Sequence, residues 1–180
     1  MSKRFWVILG VGCIAACSDP ASLASPRSRD LKMPNSASFS ANVKQPISGT
    51  ISFADVGELG KFHVTPSGNC FFIDLPVLVR FDGDVAGTVT IYEDERAPCD
   101  LSHLTGDGPF DGQLTWNGLS GTITGQWETN CKADATQPIG LSCDGTMNAR
   151  GSGALDGVQF HFKWGPGWYP FPYTGTAFSQ

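Results

Sequence analysis

The chain of 180 residues is poor in the side chains that most often carry chemistry. Its three histidines, His63, His103 and His161, have no second histidine or cysteine at ligand spacing. No pair among Cys70, Cys99, Cys131 and Cys143 has the C-x₂₋₄-C spacing of a zinc site. There is no G-x-S-x-G elbow, no H-E-x-x-H, no P-loop and no dinucleotide fingerprint. Asp82-Gly83-Asp84 lacks the ligand series and closing glutamate of a calcium loop and reads as a hairpin tip. No motif implies a metal or a cofactor. Basic residues are scarce as well. From residue 46 onward there are six Lys or Arg against fifteen Asp or Glu, a net charge of −9. That balance argues against nucleic acid as a partner, because phosphate contacts need cations to displace counterions. Long apolar runs are missing: the segment from Phe5 to Ala16 falls short of the roughly 20 residues that span a bilayer. After that segment no stretch of eleven or more residues carries a helical period.

What is present begins with an address. Lys3 and Arg4 precede the short apolar core, and Ala15 and Ala16 lead into Cys17. A charged start, a short apolar core and small residues before a cleavage point make a secretion signal. Ile14-Ala15-Ala16-Cys17 resembles the lipobox of bacterial lipoproteins. Cys13 fits it less well, because Gly10 stands where a lipobox has Leu, Val or Ile. The resemblance implies removal of residues 1–16 and a thioether-linked diacylglycerol on Cys17. Two or more acyl chains hold a protein stably in a membrane, at about 0.8 kcal/mol per buried CH₂. Ser18 in place of Asp implies export to the outer membrane, with Asp19 one position late. The resemblance therefore places the protein in the bacterial cell envelope, with the membrane as a partner through its anchor. Residues 17–45, rich in Ser, Pro and Ala, read as a tether that holds the domain roughly 30 Å from the membrane.

Residues 46–180 read as one domain. Cys13 leaves with the signal and Cys17 is taken by lipid, so Cys70, Cys99, Cys131 and Cys143 remain, an even number suited to an oxidising compartment. Three pairings are open. Cys70–Cys99 and Cys131–Cys143 is the preferred one, since each pair flanks its own connection. Apolar positions alternate almost throughout, as at Ile47, Gly49, Ile51 and Phe53. Strands are expected at 46–54, 61–65, 70–82, 85–93, 109–116, 119–130, 141–152, 155–164 and 172–178. Pro76 marks an edge or a bulge, a single helical turn is allowed near Asp100 to Leu104, and Glu93-Asp94-Glu95-Arg96 reads as an exposed strand end.

Two hairpins can be registered by hand. Asn117-Gly118 suits a type I′ turn, in which both positions need φ > 0. It sets Trp116 opposite Leu119, Leu114 opposite Gly121, Gly112 opposite Ile123 and Phe110 opposite Gly125. Asp156-Gly157 sets Leu155 opposite Val158, Gly153 opposite Phe160, Gly151 opposite Phe162 and Ala149 opposite Trp164. Large residues thus meet Gly or Ala on one face, while the other carries Gln113, Thr124, Gln126, Asn148, Arg150, His161 and Lys163. Alternating large and small side chains fill the interior of a small barrel. The fold expected is all-β, a single antiparallel up-and-down (meander) barrel of about eight or nine strands. It resembles the calycins or the allene-oxide-cyclase-like barrels in strand count and glycine-rich hairpins alone. A two-sheet β-sandwich is the runner-up. A transmembrane barrel fits the size but not a second anchor and two disulfides.

Trp164-Gly165-Pro166-Gly167-Trp168-Tyr169-Pro170-Phe171-Pro172-Tyr173 interleaves aromatic rings with prolines. It reads as a plug or lid over a barrel mouth. Phe160, Phe162, Trp164, Trp168 and Tyr169 are the candidate ligand contacts. Three functions are expected, in order of preference. The first is non-enzymatic binding of a small apolar ligand or a surface partner. The second is a structural module with a filled barrel. The third is a glycan-acting enzyme, which would need a buried carboxylate pair beside Trp168.

Overall fold

The computed structural model describes residues 44–58 and 60–179. The signal peptide, Cys17 and nearly all of the tether lie outside the described residues. Nine strands run in chain order: β1 (Lys44–Val56), β2 (Lys61–Val64), β3 (Asn69–Gly83), β4 (Val85–Pro98), β5 (His103–Trp116), β6 (Leu119–Ala133), β7 (Leu141–Gly153), β8 (Val158–Gly167) and β9 (Phe171–Ser179). They form one antiparallel sheet in the order β1-β9-β8-β7-β6-β5-β4-β3-β2. β1 also pairs with β3, so the meander closes into an uneven ring. It is one sheet rather than two packed sheets. Among the described residues there is no helix; Asp100 to Leu104 is a turn followed by the start of β5.

The closure has a simple geometry. β1 covers one flank of β3 from Val77 to Gly83, and β2 continues along the same flank from Cys70 to Ile73. Together they act as one interrupted strand, so the ring is eight strands round. β1 pairs with β9 only from Lys44 to Ile51. Pro76 keeps its place opposite Tyr92, and the irregularity falls just before it, between Phe72 and Leu75. There Asp74 adopts φ 57° and its N–H donates to Asp94 Oδ1 at 2.9 Å. A bulge rather than an edge accommodates the proline.

The Asn117-Gly118 hairpin has the register expected from its amino acids, including Phe110 opposite Gly125. Both turn residues have positive φ, 51° and 77°. The second hairpin differs. Phe160 stands opposite Ala149, Phe162 opposite Met147 and Trp164 opposite Gly145. The cause is Leu155. Two successive turns, Leu155 N–H to Ser152 O at 3.3 Å and Asp156 N–H to Gly153 O at 3.2 Å, fold it inward. Its side chain is fully buried and occupies the space that Gly121 and Gly151 leave free. Burying a leucine, at about 1.5–3 kcal/mol, outweighs the tight two-residue turn. The slip is even in number, so every side chain keeps its face.

One end of the ring is filled. Phe81, Phe160, Phe162 and Tyr173 pack ring against ring at centroid distances of 5.0 to 5.8 Å. Val85, Leu114, Ile123 and Leu155 close around them. The Tyr173 hydroxyl, deep in this cluster, bonds both the N–H and the C=O of Val85 at 3.2 Å. The two disulfides, Cys70–Cys99 and Cys131–Cys143, sit toward the opposite end. Leu155→Ala is expected to lower stability by about 2–5 kcal/mol, read as a drop in the urea midpoint. Ala154→Leu, at its exposed neighbour, is expected to shift stability by less than about 0.5 kcal/mol.

Candidate functional site

The period of β4 builds the site. Its odd-numbered residues face inward: Val85, Val89 and Ile91 are buried, Glu93 and Glu95 half-buried, and Ala97 buried again. Two glutamates thus occupy consecutive inward positions on a strand that is otherwise apolar inside. Neighbouring strands leave them room. Gly106 of β5 lies opposite Glu95, and a Cβ there would meet the Trp127 ring at 2.9 Å and Glu95 Cγ at 3.4 Å. Between Ile91 and Asp94 the β4–β5 ladder is interrupted. Pro109, in that stretch of β5, has no N–H to give, and the Trp127 indole N–H donates to Tyr92 O at 3.4 Å instead.

These residues open into a cavity of about 240 Å³ at the unfilled end of the ring. Ile51, Leu75, Val77, Trp127, Met147 and Trp164 form much of its wall, and both Cys131 and Cys143 reach it. Its rim is the aromatic segment. Tyr169 lies 4.6 Å from Phe171 and 5.4 Å from Trp168, ring centre to ring centre, and its edge meets Phe53 at 5.9 Å. The rim stands just beyond Ile51, where the β1–β9 ladder stops, so the rings cover a stretch of seam that no backbone pairing closes. The Gly165–Pro166 and Tyr169–Pro170 peptides on either side of Trp168 are cis.

Of the residues proposed from sequence, Trp164, Trp168 and Tyr169 line the cavity. Phe160 and Phe162 do not line it; they are stacked in the filled end. The glutamates are the residues that sequence reasoning missed. Far from an exposed strand end, Glu93 and Glu95 face the interior beside Trp168 and Tyr169, because β4 continues to Pro98 without losing its alternation. The signal was available: Val85, Val89 and Ile91 already place odd numbers inside, and counting on by two reaches both glutamates.

Among the described residues, the charged side chains lining the cavity are these two glutamates. Asp94 and Arg96 leave the strand on the outer face, where Asp94 receives the Asp74 N–H and Arg96 lies 3.8 Å from Asp107. Burial among apolar walls, then the neighbouring Glu95 charge and hydrogen bond, push the Glu93 carboxyl up to about 9. Burial raises Glu95 too, with the Glu93 hydrogen bond partly opposing it. The Tyr169 hydroxyl is raised, first by burial and then by the charges of Glu93 and Glu95. Two like charges on consecutive inward positions of one strand oppose each other's ionisation. Compared with known proteins, the chain matches no family, no curated protein and no solved structure.

A carboxyl group raised in the fold stabilises the folded state fully below its unfolded value, near 4.5, and that contribution is lost as pH climbs through about 9. Melting temperature is therefore expected to fall between pH 5 and pH 9. Glu93→Gln should remove most of that fall and melt about 5 °C or more above the parent at pH 9, with little difference at pH 4. Scanning calorimetry across that range checks it, and parallel curves for the two proteins would place Glu93 in water.

Proposed function

We propose that this protein is a lipid-anchored binding protein of the bacterial cell envelope, holding a small and largely apolar molecule at the open end of its barrel. The observation that carries the reading is the cavity walled by Leu75, Val77, Trp127, Met147 and Trp164 under the aromatic rim. Its volume of about 240 Å³ exceeds the roughly 150 Å³ in which an apolar cavity binds benzene. A single ring with a short substituent, or a short branched chain, is the scale of occupant. Anchoring through Cys17 rests on the lipobox, and the two disulfides support export to an oxidising compartment.

Native mass spectrometry of the full chain, exported and gently purified, tests the reading. The expected spectrum carries an added mass that denaturation releases, together with the mass of the diacylglycerol. Met147→Trp, which fills the cavity from its wall, should lose the releasable mass while melting within a few degrees of the parent. A parent spectrum free of releasable mass even after incubation with small aromatic compounds would overturn the carrier reading in favour of a structural module. Cys17→Ser should abolish incorporation of labelled fatty acid and release the protein from the membrane fraction; label retained in that variant would overturn the anchor.

One observation favours a second reading. A hydrogen-bonded carboxyl pair inside a cavity is equipped to give and take a proton, as general acid–base catalysis requires. This pair beside Trp168 is also the feature that the glycan-acting alternative requires. Recovery of a chemically altered ligand after incubation, abolished in Glu93→Gln, would establish catalysis over carriage.

A further inference from the structure

Apolar walls explain the retention of an apolar molecule, but they do not explain two inward glutamates. Placing one carboxylate in a low-dielectric site is unfavourable unless it is paired or hydrogen-bonded. Here the described residues bring no cation to the cavity: Arg96 is held on the outer face near Asp107, and the strands facing the pair present Gly106, Trp127, Thr129, Met147 and Trp164. Tyr169 adds a third polar group. It lines the same cavity, and the charges of Glu93 and Glu95 act on its hydroxyl. Besides Thr129, whose hydroxyl donates to Asp144 O at 3.0 Å, three oxygen-bearing side chains thus line one aromatic-walled cavity with nothing positive between them.

Resting on the carrier reading above, we infer that the molecule held in the cavity is a primary amine, bound as its ammonium by Glu93, Glu95 and the Tyr169 hydroxyl, with its hydrocarbon part against Trp127, Trp164 and Trp168. The chemistry matches group by group. An alkylammonium has three N–H donors and no acceptor, and the three side chains offer three acceptors. The indole faces add the attraction of an aromatic ring for a desolvated cation. Charge balances as well: one ammonium neutralises one ionised carboxylate, and each proton a carboxyl gives up on ionising leaves to solvent. An anionic ligand meets the same carboxylates and is repelled. A neutral alcohol of the same shape brings one donor in place of three and no charge to offset a carboxylate.

Three probes of one size separate these cases: 2-phenylethylammonium, 2-phenylethanol and phenylacetate, titrated into the purified full chain at pH 7 and followed by tryptophan fluorescence and calorimetry. The ammonium is expected to bind at least tenfold more tightly than the alcohol, with no detectable binding of the carboxylate. In the variant carrying Glu93→Gln and Glu95→Gln, its affinity should fall to that of the alcohol, while the alcohol's own affinity stays within twofold. If the alcohol binds the parent as tightly as the ammonium, the amine assignment is overturned and the carrier reading stands. If none of the three binds, both fall. The selectivity is measured in the parent protein, so the test holds even where the double variant does not fold.

Discussion

β1 is the strand on which the architecture turns. A nine-strand meander has two edges, and each edge offers a row of unpaired N–H and C=O groups to any other chain. Pairing β1 with β9 on one side and with β3 on the other removes most of that exposure in one step. The pairing is unequal along its length. β9 reaches β1 only as far as Ile51, while β3 and then β2 carry the sheet further. A ring closed at one end and unpaired along part of its seam at the other is the direct result.

That asymmetry accounts for the division of the interior. Where the seam is complete, Phe81, Phe160, Phe162 and Tyr173 meet in a dry cluster, and glycines opposite the larger rings, such as Gly125 under Phe110, let the strands approach. Where it is incomplete, side chains do the covering. Trp168, Tyr169 and Phe53 supply the rim over the open space, and Met147 forms part of its wall. The barrel is neither hollow nor solid throughout: it is filled at the hairpin end and open at the disulfide end. The polar chemistry is concentrated at the open end as well, since Glu93 and Glu95 lie on the part of β4 that walls the cavity.

Much of this was legible in the amino acids. Period-two alternation and Asn117-Gly118 led to an antiparallel meander and to the register of β5 with β6, because a type I′ turn leaves its two strands little freedom in how they pair. The same logic failed at Asp156-Gly157. A local turn preference of modest size met a leucine that gains more by entering the core, and tertiary burial won. The even slip preserved the inside and outside of β8, so the error in register did not become an error in which residues are buried. Glu93 and Glu95 were missed for a different reason: charged residues are ordinarily outside, and that expectation overrode a period that pointed inward. Phe160 and Phe162 were grouped with Trp164 by their shared face, which period two reveals, whereas their depth along the barrel axis depends on where the seam closes.

The sequence by itself determined which side chains face in and which face out, since that is a property of each strand taken alone. It also determined that the cysteines could pair locally and that the chain carries no dense positive charge in its domain. Only the tertiary structure decided which inward residues become core and which become cavity wall. That outcome depends on how far β9 runs along β1, and on a leucine that the chain folds back over its own end. Strand pairing between residues more than a hundred positions apart, such as Ile47 with Gly175, sets it. No local pattern encodes such a distance, because the free energy that fixes it comes from closing the sheet as a whole.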